Sequence, residues 1–208
     1  MTVVPPLRVL FDTTVLWGAF HSPAGPNAKL LDLAAQRAPV LDGFITDAVG
    51  AEFWWRATQQ GVKAPGQPVA RTYTEAELEP FLATYAPLFE PQALEHAPLS
   101  RSLGRYAGLV GLPLGEALHA ITGKDREALL AGRSTQGPMN FQTVDIADLH
   151  VICGAIDNGA QVLCSNDTKT LSYHPIGSLQ VRTAPDLAAE LGLLDTATPT
   201  TRVVPQQP

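Results

Sequence analysis

Short apolar runs of four to six residues, separated by segments long enough for helices, recur along this chain and fix its fold class. Arg8-Val9-Leu10-Phe11 reads as a short buried strand, ended by Asp12-Thr13-Thr14. Val40–Ile45, interrupted by Asp42-Gly43, fits a second strand, and Gln161–Cys164 and Leu179–Thr183 fit two more. Val15–Ala19 begins a helix, and Ser22–Pro26 is a loop. Asn27 reads as the N-cap of a helix over Ala28–Ala38, whose stripe is Leu30, Leu31, Leu33 and Ala34. Thr46 or Asp47 caps a helix running to about Gln60. Ile146–Asp157 carries Ile146, Leu149, Ile152, Cys153 and Ile156 on one face and stops at Asn158-Gly159. Pro185 opens a last helix, Asp186–Leu191, ended by Gly192. Strands alternating with helices at these lengths predict an α/β fold, a three-layer α/β/α sandwich on a mainly parallel sheet. In such sheets the site lies outside the carboxyl ends of the strands.

The middle of the chain breaks this rhythm. Gly61–Pro68 is a loop, and Glu75–Phe89 has helical spacing divided by Pro80 and Pro87. Beyond it come short helix-like pieces (Leu99–Val110, Gly115–Thr122, Asp125–Ala131) and a polar loop at Ser134–Asn140. We therefore expect one domain over 1–192, with a core of 7–60 and 144–192, a helical insertion at about 61–143, and a disordered tail over 193–208. No apolar run approaches 18 residues, and the opening Met1–Pro6 lacks the pattern of a signal peptide, so the expectation is a cytoplasmic protein with no membrane association. Cys153 and Cys164 sit in apolar surroundings and read as reduced core residues, without the spacing of a zinc site.

Four acids follow or flank the apolar runs: Asp12, Glu52, Asp148 and Asp167. Each alone also reads as a helix cap or turn residue. Together they are placed to converge above a parallel sheet, where a close pair of like charges repels by about 4 kcal/mol at an effective dielectric of 20. A hard divalent cation with oxygen ligands resolves that repulsion. Asp145 lies three residues before Asp148, so both can share one face at that helix's start; alone, Asp145 reads as its N-cap. Thr13 and Thr14 offer hydroxyls to orient Asp12, while Ser165 and Asn166 stand ready to hold a water at the site. Arg56 lies one turn after Glu52, where it pairs with that acid or reaches a phosphate. Lys169 is a further phosphate contact.

The formal charge of −6 argues at first against a nucleic-acid partner, but the four acids supply much of it, and two divalent ions offset them. The rest is uneven. Residues 74–99 carry five acids and no Lys or Arg, whereas 100–135 carry five bases (Arg101, Arg105, Lys124, Arg126, Arg133) against three acids. A basic stretch beside an acidic centre suits a nuclease, with Arg101 and Arg105 as RNA contacts; ordinary solvated helix faces give the same pattern.

In order and spacing these segments resemble the PIN-domain family of nucleases. Arg8–Leu16 is similar to its opening strand and first acid, Ile45–Phe53 to its second motif, Asp145–Ile156 to its third and Val162–Asp167 to its last. The matched segments cover about half the chain. The resemblance implies a Mg²⁺- or Mn²⁺-dependent endoribonuclease, the toxin of a toxin–antitoxin pair among the options. Asp12, Glu52, Asp148 and Asp167 would serve as metal ligands in a metal-assisted hydrolysis with no covalent intermediate. An antitoxin protein and a homodimer are the partners it implies besides RNA. Thr14 stands where the family often has Asn, and the stretch 61–143 is longer than compact members need. Two rival classes remain: a catalytically silent PIN-like binding or regulatory protein, and a phosphatase of the haloacid-dehalogenase type. The latter wants a second Asp where Thr14 stands.

Overall fold

The computed structural model describes residues 5–89, 144–172 and 175–194; for Asp47, residues 144–150, Lys169 and Ser172 it describes the backbone alone. The expected helices at 99–131, the loop at 134–140 and the tail beyond 194 lie outside these residues, as do Arg101 and Arg105. In chain order the elements are β1 (Leu7–Phe11), α1 (Thr13–His21), α2 (Pro26–Ala35), β2 (Leu41–Phe44), α3 (Asp47–Trp55), α4 (Glu75–Thr84), α5 (Val144–Asp157), β3 (Val162–Cys164), α6 (Thr168–Ser172), β4 (Gln180–Arg182) and α7 (Ala184–Glu190). The fold is α/β.

The four described strands form one all-parallel sheet in the order β2-β1-β3-β4. Parallel strands are buried on both faces and therefore read as unbroken apolar runs. β1 obeys this: Val9, Leu10 and Phe11 are fully buried. From β1 the chain moves outward to β2 on one side, and β3 and β4 add on the other. The order thus reverses between β1 and β3, and at such a switch point a crevice opens outside the carboxyl ends. Register decides which residues stand there. Phe11 is paired with Cys164, so the next residues, Asp12 and Ser165, emerge side by side. The Asp12 N–H still donates to the Cys164 carbonyl at 3.0 Å, extending the ladder by one bond.

Helix packing brings the other segments to that edge. α2 packs against α1, β2 and α7, while α3 contacts α1 and α5, and α5 also contacts β3. Gly154 of α5 lies against Thr46 at the start of α3: a Cβ there would stand 3.1 Å from Thr46 Cγ2. The stop at Asn158-Gly159 is the expected left-handed turn, with Gly159 at φ 66° and the Ala160 N–H returning to the Ala155 carbonyl.

Several boundaries differ from the sequence reading. Asn27 is inside α2; the cap is Gly25, and Pro26 takes the first helical position, where a missing N–H costs nothing. Pro80 does not divide α4, which runs through it and ends at Tyr85, where a 3₁₀ turn over Ala86–Leu88 begins. The helix after Thr46 changes to π geometry over Arg56–Gln60. The short α6 was not anticipated, since five residues carry no periodicity to read. Within 61–89, Tyr73, Leu78, Tyr85 and Leu88 are buried in the same core as the sheet. Phe81 stacks on Phe53 at 5.5 Å and meets Phe20 edge-on at 5.4 Å.

Candidate active site

Asp12 directly follows β1 and caps α1, and the residue is 7% exposed. Its Oδ1 accepts from the Thr13 N–H at 2.7 Å. Its Oδ2 accepts from two hydroxyls, Thr14 Oγ1 at 2.9 Å and Ser165 Oγ at 2.7 Å. Each hydroxyl has a single proton to give. Thr14 Oγ1 in turn accepts from the Asn166 N–H at 2.9 Å, and Ser165 Oγ from the Asp167 N–H at 3.1 Å. Both protons are thereby directed at Asp12. The 3.4 Å approach of the two hydroxyls to each other is a by-product of their shared acceptor. Three donors fix the carboxylate's orientation, and the positive end of α1 favours its charge.

Thr13 links this acid to the next. Its N–H serves Asp12 while its hydroxyl donates to Glu52 Oε2 at 2.6 Å. Glu52 comes from α3, and its other oxygen, Oε1, lies 2.6 Å from Arg56 Nη2, one turn further along. The Glu52 side chain is 17% exposed and that of Arg56 is 40% exposed. Burial pushes the Glu52 carboxyl above its ordinary range and the field of Asp12 adds to this, while the Thr13 hydroxyl and Arg56 pull it down. Cys164, fully buried beneath Asp12, is held as the neutral thiol by burial and by that carboxylate. It offers no soft thiolate, so the donors gathered here are oxygens.

The loop after β3 is braced from two sides. Ser165 is fully buried. The Asn166 side chain donates through Nδ2 to Asn27 Oδ1 at 2.8 Å and accepts through Oδ1 from the Ala184 N–H at 3.1 Å. Its amide therefore ties the loop to α2 and to the start of α7. Asn27 itself is pressed against Gly18 of α1, where a Cβ would fall 2.2 Å from Asn27 Nδ2. Asn27 is a supporting residue the sequence reading passed over as a cap. Asp167 follows directly and precedes α6, its carbonyl accepting from the Leu171 N–H.

α5 already begins at Val144, so Asp145 is inside the helix and not its N-cap; it and Asp148 lie in the first two turns of α5, the helix that docks on α3 and β3. Their side chains, like that of Lys169, lie outside the described set. Among the described residues no three of His, Cys, Asp and Glu gather closely enough to hold an ion. What is described is a pair, Asp12 and Glu52, joined through Thr13. The chemistry of this pair suits Mg²⁺ or Mn²⁺: hard carboxylate oxygens, hydroxyls at their flanks, and a site that already draws in one cation, Arg56. No helix among the described residues is long and apolar enough to cross a membrane. No family model, no curated protein and no solved structure matches this chain.

Proposed function

We propose that this chain is a divalent-metal-dependent ribonuclease of PIN type, its sheet the centre of a three-layer α/β/α sandwich. The observation that carries the reading is the Asp12–Thr13–Glu52 unit at the switch point of a parallel sheet. Two carboxylates bonded to one threonine, both largely covered, are the arrangement expected of groups that share a cation. Asp12 and Glu52 would hold Mg²⁺ or Mn²⁺, and Asp148 and Asp167 would complete the ligand set. When bound, the ion supplies a water nucleophile at neutral pH and offsets charge on the phosphoryl group under attack.

The chain's own residues orient the ligands. Thr14 and Ser165 lock Asp12 from one side, Thr13 aims Glu52 from the other, and Asn166 with Asn27 fixes the loop that presents Asp167. RNA is the proposed substrate, gripped through its phosphates by Arg101, Arg105 and Lys169. An antitoxin and a second copy of the chain are the proposed protein partners. One observation favours the silent, regulatory reading instead: both oxygens of Glu52 are already engaged, by Thr13 and Arg56.

Cleavage of a mixed panel of RNA and single-stranded DNA with Mg²⁺, Mn²⁺ or EDTA separates the two. The nuclease reading expects metal-dependent cutting of RNA that is lost in Asp12→Asn and Asp148→Asn. Folded wild-type protein that cuts nothing with either ion would favour the regulatory reading.

A further inference from the structure

Arg56 answers to two demands at once. Glu52 is 83% covered at the side chain and lies in the field of Asp12, so its negative charge needs a positive partner close by. Arg56 supplies one at Oε1. Resting on the metal reading above, a divalent ion held by Asp12 and Glu52 meets the same need at the same carboxylate. A guanidinium and a divalent cation on one carboxylate oxygen repel each other, so the two compete. The two oxygens of Glu52 differ in their partners. Oε2 is anchored by the Thr13 hydroxyl at 2.6 Å, so Glu52 stays aimed whichever cation it holds; Oε1 is the exchangeable position.

Arg56 is built to leave. It is the more exposed partner of the pair, and it stands where α3 gives way to the π turn of Arg56–Gln60, beyond the regular helix that carries Glu52. Helical segments that widen to π geometry recur at functional sites. A released guanidinium, part-exposed beside Glu52, presents a planar fork suited to a phosphate.

We propose that Arg56 and the divalent cation exchange on Glu52 Oε1: the guanidinium holds the carboxylate until the ion arrives, and is then freed to grip a phosphate of the RNA. The pair is thus a latch that couples ion binding to substrate binding. Without the ion Arg56 is engaged internally and adds little to RNA affinity. With the ion bound it adds a charge-assisted contact.

The test is a calorimetric Mn²⁺ titration of wild type, Arg56→Gln and Arg56→Lys, followed by binding of a fluorescent single-stranded RNA in Ca²⁺ and in EDTA. Removing a competing ion pair of this kind is expected to tighten Mn²⁺ about fivefold in Arg56→Gln, with Arg56→Lys close to wild type. The same Arg56→Gln substitution is expected to weaken RNA binding severalfold in Ca²⁺ and to leave it unchanged in EDTA. Equal Mn²⁺ affinity in wild type and Arg56→Gln overturns the exchange while leaving the metal site standing. Equal loss of RNA affinity with and without the ion overturns the coupling. Absence of Mn²⁺ binding in all three proteins overturns the metal reading itself.

Discussion

Thr13 donates its hydroxyl to Glu52 at 2.6 Å while its backbone N–H holds Asp12 at 2.7 Å, so one residue sets the relation between two acids 40 positions apart in the chain. Thr13→Val keeps the shape and removes the bond to Glu52. A buried acceptor deprived of its donor costs about 1–3 kcal/mol. We expect stability to fall within that range in urea unfolding and Mn²⁺ affinity to fall with it, both recovered in Thr13→Ser. A valine variant that binds Mn²⁺ like wild type would show that Glu52 needs no such anchor.

Glu52 links stability to pH. Its carboxyl titrates above the ordinary value of 4.5 because burial, and then the field of Asp12, disfavours the charged form. With the folded value raised, the folded state binds the proton more tightly than the unfolded state. This contribution to stability is complete below 4.5 and is lost as pH rises through the folded value. Ionised Glu52 is therefore a cost to the fold without the ion. In EDTA, Glu52→Gln is expected to flatten the decline in stability as pH rises above 4.5. Its Mn²⁺ binding is expected to be lost. Equal slopes for the two proteins would contradict the assignment.

Ser165 is fully buried between two demands, donating to Asp12 and accepting from the Asp167 N–H. Ser165→Ala strips a donor from a carboxylate that keeps Thr14, and removes the hydroxyl that accepts from the Asp167 N–H. A loss of about 1–3 kcal/mol is expected from thermal or urea unfolding. A change of a few tenths would mean that the loop relaxes and finds other partners.

How much of this was legible in the residues? The strand–acid junction at Asp12 was, because a parallel strand buried on both faces shows as an apolar run and its end is marked by the first polar residue. The i, i+4 spacing of Glu52 and Arg56 also announced a pair on one helix face. The Thr13–Glu52 bond was not legible, since it depends on how α1 packs on α3, which no local pattern encodes. Asn27 was misread because Asn is a favoured cap; the stronger local signal was Pro26, which marks the first helical position and so places the cap at Gly25. Pro80 looked like a breaker, yet α4 runs through it with Leu78 fully buried and Phe81 stacked on Phe53.

Gly18 and Asn27 should be energetically coupled. A methyl at Gly18 would stand 2.2 Å from Asn27 Nδ2, and Asn27 holds Asn166. Gly18→Ala is expected to cost about 1–3 kcal/mol through overpacking. In an Asn27→Ala background the clash is gone, so the cost should shrink and the double-mutant cycle should show coupling above about 0.5 kcal/mol. Additive effects would place the strain elsewhere.

The central claim is that Asp12 and Glu52 share a cation, and anomalous scattering from Mn²⁺-soaked crystals addresses it most directly. The expected result is a peak within coordination distance of an Asp12 oxygen and Glu52 Oε1, with Arg56 withdrawn from Glu52. A map with no peak at Asp12, or with ions only elsewhere and the Glu52–Arg56 pair intact, would contradict it.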